Sequence, residues 1–456
     1  MLRTLIRFAV LAMCGSIWFA LPLGATTRAP MTPHAKLTVP ELRSACCGAV
    51  AERLFSFHFN KKGNAPHGAW PLAGLTADPS GDGVLYGTTW GGGSHGDGTV
   101  FKLTPSASGY VESVLYSSHG GSEGQFENAP LLVDSAGAVY GTTFGSGSSR
   151  SYCNCGIVYK LTPTGSTYAF SILHRFRGKR DGAITGTPQG LYRDSGGALY
   201  GTTWTGGEPK CNYGAGCGTV FKLTPTSSGT YTESILYRFQ GGKDGWIPGS
   251  ALIADSSGAL YATTIFGGNA GAGTIFKLTP TRSGTYTKST IHNFDGSDGM
   301  HPNSSLLADS SGDFFSVAGY LEPGEVYELT PSSSGSGYSF HVLFAFDNSY
   351  YGDGYRPQNV VFCSSAGSLC GTTEEGGRDS FGLAFKLTPT QNPKKPYVES
   401  ILHKFSYDEA YPSAVTIDSS GALYGTSFGG SSSSTFRGGG IAFKISVPSD
   451  SSETSH

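Results

Sequence analysis

The sequence predicts an all-β protein: a closed seven-bladed β-propeller with four-stranded blades, in which an N-terminal strand completes the last blade. Three observations carry this expectation. Four short phrases recur together seven times along the chain. Each phrase is rich in aromatic and β-branched residues and bounded by Gly, Pro, Ser or Asp, as strands are. The last copy also lacks the one phrase that stands alone before the first copy.

Strand A follows a Pro (71, 130, 188, 248, 302, 357, 412) and reads Leu-x-x-Asp, closed by an Asp-Ser-Ser-Gly turn. Strand B reads Leu-Tyr-Gly-Thr-Thr or a near variant, with its Tyr at 86, 140, 200, 261 and 424. Phe315 and Cys370 take that place in degenerate copies. The intervals between these points are 54, 60, 61, 54, 55 and 54 residues. Strand C reads Val-Phe-Lys-Leu-Thr-Pro and leads through a Ser-Gly turn to strand D, Tyr-x-Glu-Ser-Ile-Leu-Tyr-x-Phe. In the fourth copy the strands are expected at 252–255, 260–264, 274–279 and 286–294. Four strands per unit at a fixed period fit a propeller blade. The final copy stops at 441–445 without a strand D, while Leu54-Phe-Ser-Phe-His-Phe59 matches that strand ahead of the first A. Pairing the two would close the ring and hide its open edges.

The propeller should span 52–446, preceded by an extension at 30–51 and followed by a disordered tail at 447–456. Residues 1–29 read as a secretory signal peptide: two arginines, an uncharged apolar run over 8–24 broken by Gly15 and Pro22, then small residues for cleavage. The run is short for a span, so no stable membrane span is expected in the mature chain. Export places the protein in the secreted or cell-envelope fraction.

Composition agrees. Of 456 residues 68 are Gly and 14% are charged, against about 7% and roughly 25% in typical proteins. With 27 Phe and 24 Tyr the chain is too apolar to be disordered or collagen-like. A net charge of −2 argues against nucleic acid as a partner. A monomer is expected.

Setting Cys14 aside, eight cysteines remain, without zinc-knuckle spacing, and disulfides are expected of them. Cys363 replaces the strand A Asp and Cys370 the strand B Tyr of blade 6, so the hairpin should bring them together. Cys211 and Cys217 share one B–C loop and form the second candidate pair. Cys46, Cys47, Cys153 and Cys155 stay unassigned.

Gly-x-Leu-Tyr-Gly-Thr-Thr-x-x-Gly-Gly followed by Gly-Thr-Val-Phe-Lys-Leu-Thr-Pro resembles the GloVer tandem repeat of exported bacterial β-propeller-like proteins, over residues 52 to 446. The resemblance implies the fold and export, with no established enzymatic activity. Members often end in a membrane-sorting anchor, where this chain has a polar segment.

Strand parity puts the A–B and C–D turns on one face and the B–C and D–A loops on the other. The first face carries near-identical Ser-Gly turns. On the second, the distance from the strand B Tyr to the strand C aromatic is 15 residues in blades 1 and 4, 19 in blades 2 and 7, and 21 in blade 3. Binding surfaces favour variable loops on a rigid scaffold. The ligand-binding candidates are therefore Trp90, Trp204, Glu374, Glu375 and Arg378, an aromatic mouth beside a polar notch where blade 6 departs from the repeat. Aromatic faces with a few polar groups suit sugars.

The expected function is a non-catalytic binding protein with a carbohydrate or cell-surface partner. The alternatives are a polysaccharide-active enzyme using Glu374 or Asp379, and a structural envelope protein. No catalytic residue, cofactor or metal ligand is expected. Gly-x-Ser-x-Gly at 92–96 and 120–124 lacks the helix that such an elbow needs. His174, His292 and His403 share a strand D position with Tyr and Phe in other blades and read as packing. Asp181, Asp244, Asp298 and Asp353 read as turn residues. Lys102, Lys222 and Lys386 are expected to face Glu112, Glu233 and Glu399 across the C–D ladder.

Overall fold

The computed structural model describes residues 49–60, 62–121, 129–144, 155–183, 190–211, 214–320, 323–332, 337–347, 352–377, 379–429 and 438–448. The expected signal peptide at 1–29, most of the expected extension and tail, and Arg378 therefore lie outside the described residues, as do Cys46, Cys47 and Cys153.

Seven antiparallel sheets form the seven blades, with strands in the order A–B–C–D; blades 1 to 6 are built in chain order. Blade 4 has Ile253–Ala254, Leu260–Phe266, Thr274–Pro280 and Tyr286–Asn293, with Trp246–Pro248 as an added strand on B. The A strands are mostly two residues long; in blade 6 the A strand runs unbroken over Tyr355–Phe362. Blade 7 is closed by the N-terminus. Val50–His58 pairs antiparallel with Gly438–Ser446, with Phe55 opposite Ala442 and Ser56 opposite Ile441. Phe57 is buried there against Phe101 of blade 1, ring centroids 5.1 Å apart.

The Asp and Tyr of the A and B phrases have one joint task. In blade 4, Asp255 Oδ1 accepts the Ser257 and Ala259 N–H groups at 2.9 and 3.0 Å, and Oδ2 accepts the Tyr261 hydroxyl at 2.7 Å. Asp78–Tyr86, Asp134–Tyr140, Asp194–Tyr200 and Asp418–Tyr424 repeat the hydroxyl bond at 2.9–3.0 Å. Blade 6 replaces this clamp with the Cys363–Cys370 disulfide, Cα atoms 5.7 Å apart. Cys211 and Cys217 are also bridged, at 5.6 Å. Cys155 is disulfide-bonded as well, to a partner outside the described residues.

The expected Lys–Glu ladder pairs are corrected. Lys222 lies opposite Ser234 and Glu233 opposite Leu223; Lys102 and Lys386 likewise oppose Ser113 and Ser400. The C–D turn sets a register one residue away from the expected one, and such a slip moves a side chain to the other face. Lys222 therefore lies over the Tyr200 ring, 5.1 Å from its centroid. The glutamates are left facing the preceding blade.

Two repeated residues explain how blades meet. Gly382 has φ +95°, and a Cβ added to it would stand 2.5 Å from Cδ of Pro412 in the next blade. The pairs Gly218–Pro248, Gly273–Pro302, Gly324–Pro357 and Gly440–Pro71 have the same arrangement at 2.5–2.6 Å. In these five places the glycine at the start of strand C is the seat on which the next blade's proline rests. It also lies against a strand B carbonyl of its own blade: the Cβ added to Gly382 would stand 2.5 Å from the Thr373 carbonyl oxygen.

Gly382→Ala should cost about 2–4 kcal/mol, combining a disfavoured φ with overpacking. Gly284→Ala, at φ +79° with no atom within 4 Å of the new Cβ, should cost about 1 kcal/mol. Equal losses in denaturant unfolding would show that neither Pro412 nor the Thr373 carbonyl, each 2.5 Å from the new Cβ, constrains the site.

Candidate functional site

The residue before the repeated proline begins the site. Trp70, Ile247, His301, Arg356 and Tyr411 all have φ between 54° and 61°, a left-handed conformation that bulky and pre-proline residues avoid. Each is held there by its own N–H. Trp70 donates to the Gly439 carbonyl at 2.6 Å, Ile247 to Cys217 at 3.0 Å and His301 to Ala272 at 2.7 Å. Arg356 donates to Pro323 at 3.1 Å and Tyr411 to Phe381 at 3.0 Å. Four of these acceptors lie in the B–C connection of the preceding blade, and Gly439 stands at the start of strand C of blade 7. In return, Trp90, Tyr320 and Phe428 donate their N–H groups to the carbonyls of Trp70, His301 and Tyr411.

These ties set large side chains on the B–C and D–A face. Trp70 is half-buried and gathers Phe59 at 5.3 Å, Trp90 at 5.6 Å and, in a stacked arrangement, Phe428 at 6.2 Å. Further round the ring, Phe266 touches Trp246 at 5.0 Å and His301 at 4.9 Å. Blade 6 carries charge instead: Arg356 Nη1 lies 3.4 Å from Glu375 Oε1 and 3.7 Å from Glu374 Oε2. The Glu375 side chain is fully buried, whereas 37% of the Glu374 side chain is exposed.

Of the residues singled out in the sequence, Trp90 joins the Trp70 cluster and Glu374 joins Glu375 on one guanidinium. Trp204 is half-buried in blade 3, outside that cluster, its indole N–H buried and without a hydrogen-bond partner among the described residues. Asp379 is exposed. Trp70 and Arg356 were not singled out. Their signal was in the chain, since each directly precedes one of the seven repeated prolines.

A second set of polar groups lies between blades, where the strand D glutamates face. Here a strand D aromatic or histidine of one blade, a side chain of the following D–A loop and a strand D residue of the next blade meet. Asp181, Asp244, Asp298 and Asp353 do serve their loops, accepting N–H groups of Arg177, Gln240, Asp295 and Asp347 at 2.7–3.0 Å. Their remaining contacts differ at each interface. Glu112 bonds His67 Nδ1 at 2.7 Å between blades 7 and 1. Tyr116 stacks on Phe170 at 4.4 Å, and His292 on Phe340 at 3.8 Å. Lys288 places its ammonium 2.9 Å from Asp244. Between blades 6 and 7, His403 and Arg53 bond Glu409 and, against its partial burial, hold its carboxyl down at about 2.

His174 is more than packing. It lies edge-on to Phe176, while its Nε2 is 3.5 Å from both Asp181 Oδ1 and Glu233 Oε1. These three donor atoms all lie within 4.8 Å of one another. Burial and the adjacent Asp181 push Glu233 up, although Arg238 and Arg177 oppose this. Burial also works against the Asp181 charge, but the nearby His174 imidazole, Glu233 and the Arg177 N–H outweigh it and hold Asp181 down. The geometry is one that a metal ion could use.

Comparison with known proteins gives one family. The model of the Gloeobacter/Verrucomicrobia repeat matches residues 48–215, 126–361 and 187–443. No curated protein matches the chain. Among solved structures, a putative 6-phosphogluconolactonase from Bacteroides uniformis is 13% identical, with TM-score 0.48, covering 75% of this chain and 88% of its own. A putative oxidoreductase (glucose dehydrogenase) from Thermus thermophilus is 17% identical, with TM-score 0.41, covering 88% and 100%. The PQQ-bound aldose sugar dehydrogenase of Streptomyces coelicolor is 13% identical, with TM-score 0.38, over the same shares. Likeness this distant carries no activity to this chain.

Between blades 5 and 6, burial together with the Asp353 and Asp347 carboxylates pushes Glu399 from the usual 4.5 up to about 9. The folded state therefore holds a proton that the unfolded chain releases above pH 4.5, so this group's contribution falls as pH rises from about 4.5 to 9. Glu399→Gln should leave Tm unchanged at pH 4 and raise it by on the order of 3 °C at pH 8. A Tm difference that stays constant over this range would contradict the assignment.

Proposed function

This chain belongs to the Gloeobacter/Verrucomicrobia repeat family, and from that premise we propose that it is an exported, non-catalytic binding protein. Its working surface is the face that carries the B–C and D–A loops, and its ligand is a carbohydrate. The observation that carries this reading is the strained residue ahead of the proline, held at φ near +57° in five blades. Strain of this kind costs of order 1–3 kcal/mol per residue and collects at sites where a side chain has to be presented in a fixed direction. The side chains so presented are Trp70, Ile247, His301, Arg356 and Tyr411, which vary from blade to blade on a constant backbone.

The aromatic cluster of Trp70, Trp90 and Phe428 supports a sugar ligand. Pyranose C–H faces stack on such rings, and neighbouring hydroxyls need both donors and acceptors. Arg356 and the part-exposed Glu374 supply those in blade 6. Export is supported by two disulfides, which persist in oxidising compartments. Binding is favoured over hydrolysis because Glu374 and Glu375 share one guanidinium. A glycosidase needs one carboxyl free to hold a proton against the substrate.

The mature, tag-free protein should be screened against soluble and insoluble polysaccharides by pull-down and calorimetry. Trp70→Ala and Trp90→Ala should each weaken the polysaccharide that is retained by about tenfold, roughly 1.4 kcal/mol, with the fold intact by circular dichroism. Ser256→Ala and Ser257→Ala, on the turn-bearing face, should change nothing. The reading fails if no polysaccharide is held, or if the serine changes abolish binding while the tryptophan changes do not.

A further inference from the structure

We propose that His174, Asp181 and Glu233 form a binding site for a divalent transition-metal cation of the zinc class, which clamps blade 2 to blade 3. His174 stands on strand D of blade 2 (Thr167–Arg175), Asp181 in the D–A loop that follows, and Glu233 on strand D of blade 3 (Tyr231–Arg238). All three elements are rigidly placed. The loop is fixed by the 2.7 Å bond from the Arg177 N–H to Asp181 Oδ2, which leaves Oδ1 turned to His174.

Three observations converge on a cation. The spacing is the first: 3.5 Å from the imidazole nitrogen to each carboxylate oxygen is close to the ligand–ligand separation around a tetrahedral ion with bonds of about 2.0–2.2 Å. Unused bonding capacity is the second. His174 Nε2 and Glu233 Oε1 are both shut off from solvent, and the 3.5 Å contacts of the imidazole nitrogen to each carboxylate are too long to satisfy them, a state that buried polar atoms rarely keep. The side chains as a whole remain 17–20% exposed, enough for an ion to enter and a water to complete its shell.

The repeat itself is the third. At the interface between blades 3 and 4, the residue aligned with Glu233 is Lys288, since each lies opposite the leucine of its strand C. Its ammonium sits 2.9 Å from Asp244 Oδ1 and 2.8 Å from the Asp244 carbonyl oxygen. Between blades 6 and 7, Arg53 brings its guanidinium 3.0 Å from Glu409. Those interfaces supply their own positive charge beside the loop carboxylate. The interface between blades 2 and 3 instead supplies a third ligand, a carboxylate where a cation would otherwise stand. Arg177 and Arg238 act on Glu233 from a distance, and neither is ion-paired with it.

One nitrogen and two oxygens suit zinc or a neighbouring first-row ion. Calcium prefers six to eight oxygen ligands and is poorly served by imidazole. The ion's part here is structural. It replaces a strained carboxylate contact with a bridge across two blades.

The test uses the mature chain, tag-free and stripped with chelator, titrated with zinc chloride by calorimetry and followed by thermal unfolding. One tight equivalent is expected, with Tm rising by roughly 3 °C at a hundredfold excess over Kd, and calcium chloride having no such effect. His174→Ala should weaken zinc binding at least tenfold. Glu233→Lys, which copies Lys288, should abolish the zinc response and unfold without zinc at a Tm no lower than the parent. The His95 and His119 rings, 4.3 Å apart, form a second pair able to take zinc, so His95→Ala is the control and should leave the tight equivalent in place. Absence of a tight equivalent overturns the proposal. So does zinc binding that survives His174→Ala, or that is lost with His95→Ala.

Discussion

The proline ring that blades 1, 4, 5, 6 and 7 each lay on a glycine of the blade before is the contact on which much of the described structure depends. A Cβ on the glycine would meet both that proline and a strand B carbonyl of its own blade, so the position is closed from two sides. The proline contact also dictates the unusual backbone beside it. Bringing a proline onto the preceding blade turns the residue ahead of it left-handed at Trp70, Ile247, His301, Arg356 and Tyr411. The N–H of that residue is then satisfied by the neighbouring B–C connection. Strain and its compensation lie in the same few atoms, and the side chain is left to face the loop-bearing end.

Around this constant joint the repeat tolerates changes of chemistry. The A–B hairpin is held by an Asp–Tyr hydrogen bond in five blades and by a disulfide in blade 6, with the hairpin closed in both cases. The outer interfaces use a stacked pair, an ammonium on a carboxylate, a guanidinium on a carboxylate, and a protonated glutamic acid. A scaffold that fixes position through backbone leaves its side chains open to divergence. The same freedom operates at the mouth, where Trp, Ile, His, Arg and Tyr occupy one backbone position.

Much of this was legible in the sequence, because most of it repeats. The phrases located the strands of all seven blades, and the orphan strand at 54–59 located the closure. The substitution of Cys363 and Cys370 for Asp and Tyr located a disulfide. What was not legible depends on register or on contacts between blades. The lysines were assigned to the wrong partners because one residue of slip in a hairpin exchanges its faces, and the phrase alone does not show where the C–D turn closes. His174 does pack against Phe176, as expected of a position that also holds Tyr and Phe, but its approach to a carboxylate of the next blade was not legible. Its partner Glu233 is 59 residues away in the chain and arrives only when two blades are set side by side. The mouth residues Trp70 and Arg356 were not legible for a related reason: the residue before the proline varies from blade to blade, and only its backbone conformation is shared.

Closure of the ring by the N-terminal strand fixes the blade count, the face parity and every interface discussed above. Hydrogen–deuterium exchange of the backbone amides of Val50–His58 tests it most directly. In a closed ring the amides that bond Gly438–Ser446 exchange as slowly as those of the other outer strands, such as Tyr231–Arg238, because all open with the same sheet. Exchange of Val50–His58 at the rate of an unstructured segment, with the other outer strands protected, would contradict closure and the face assignment that rests on it.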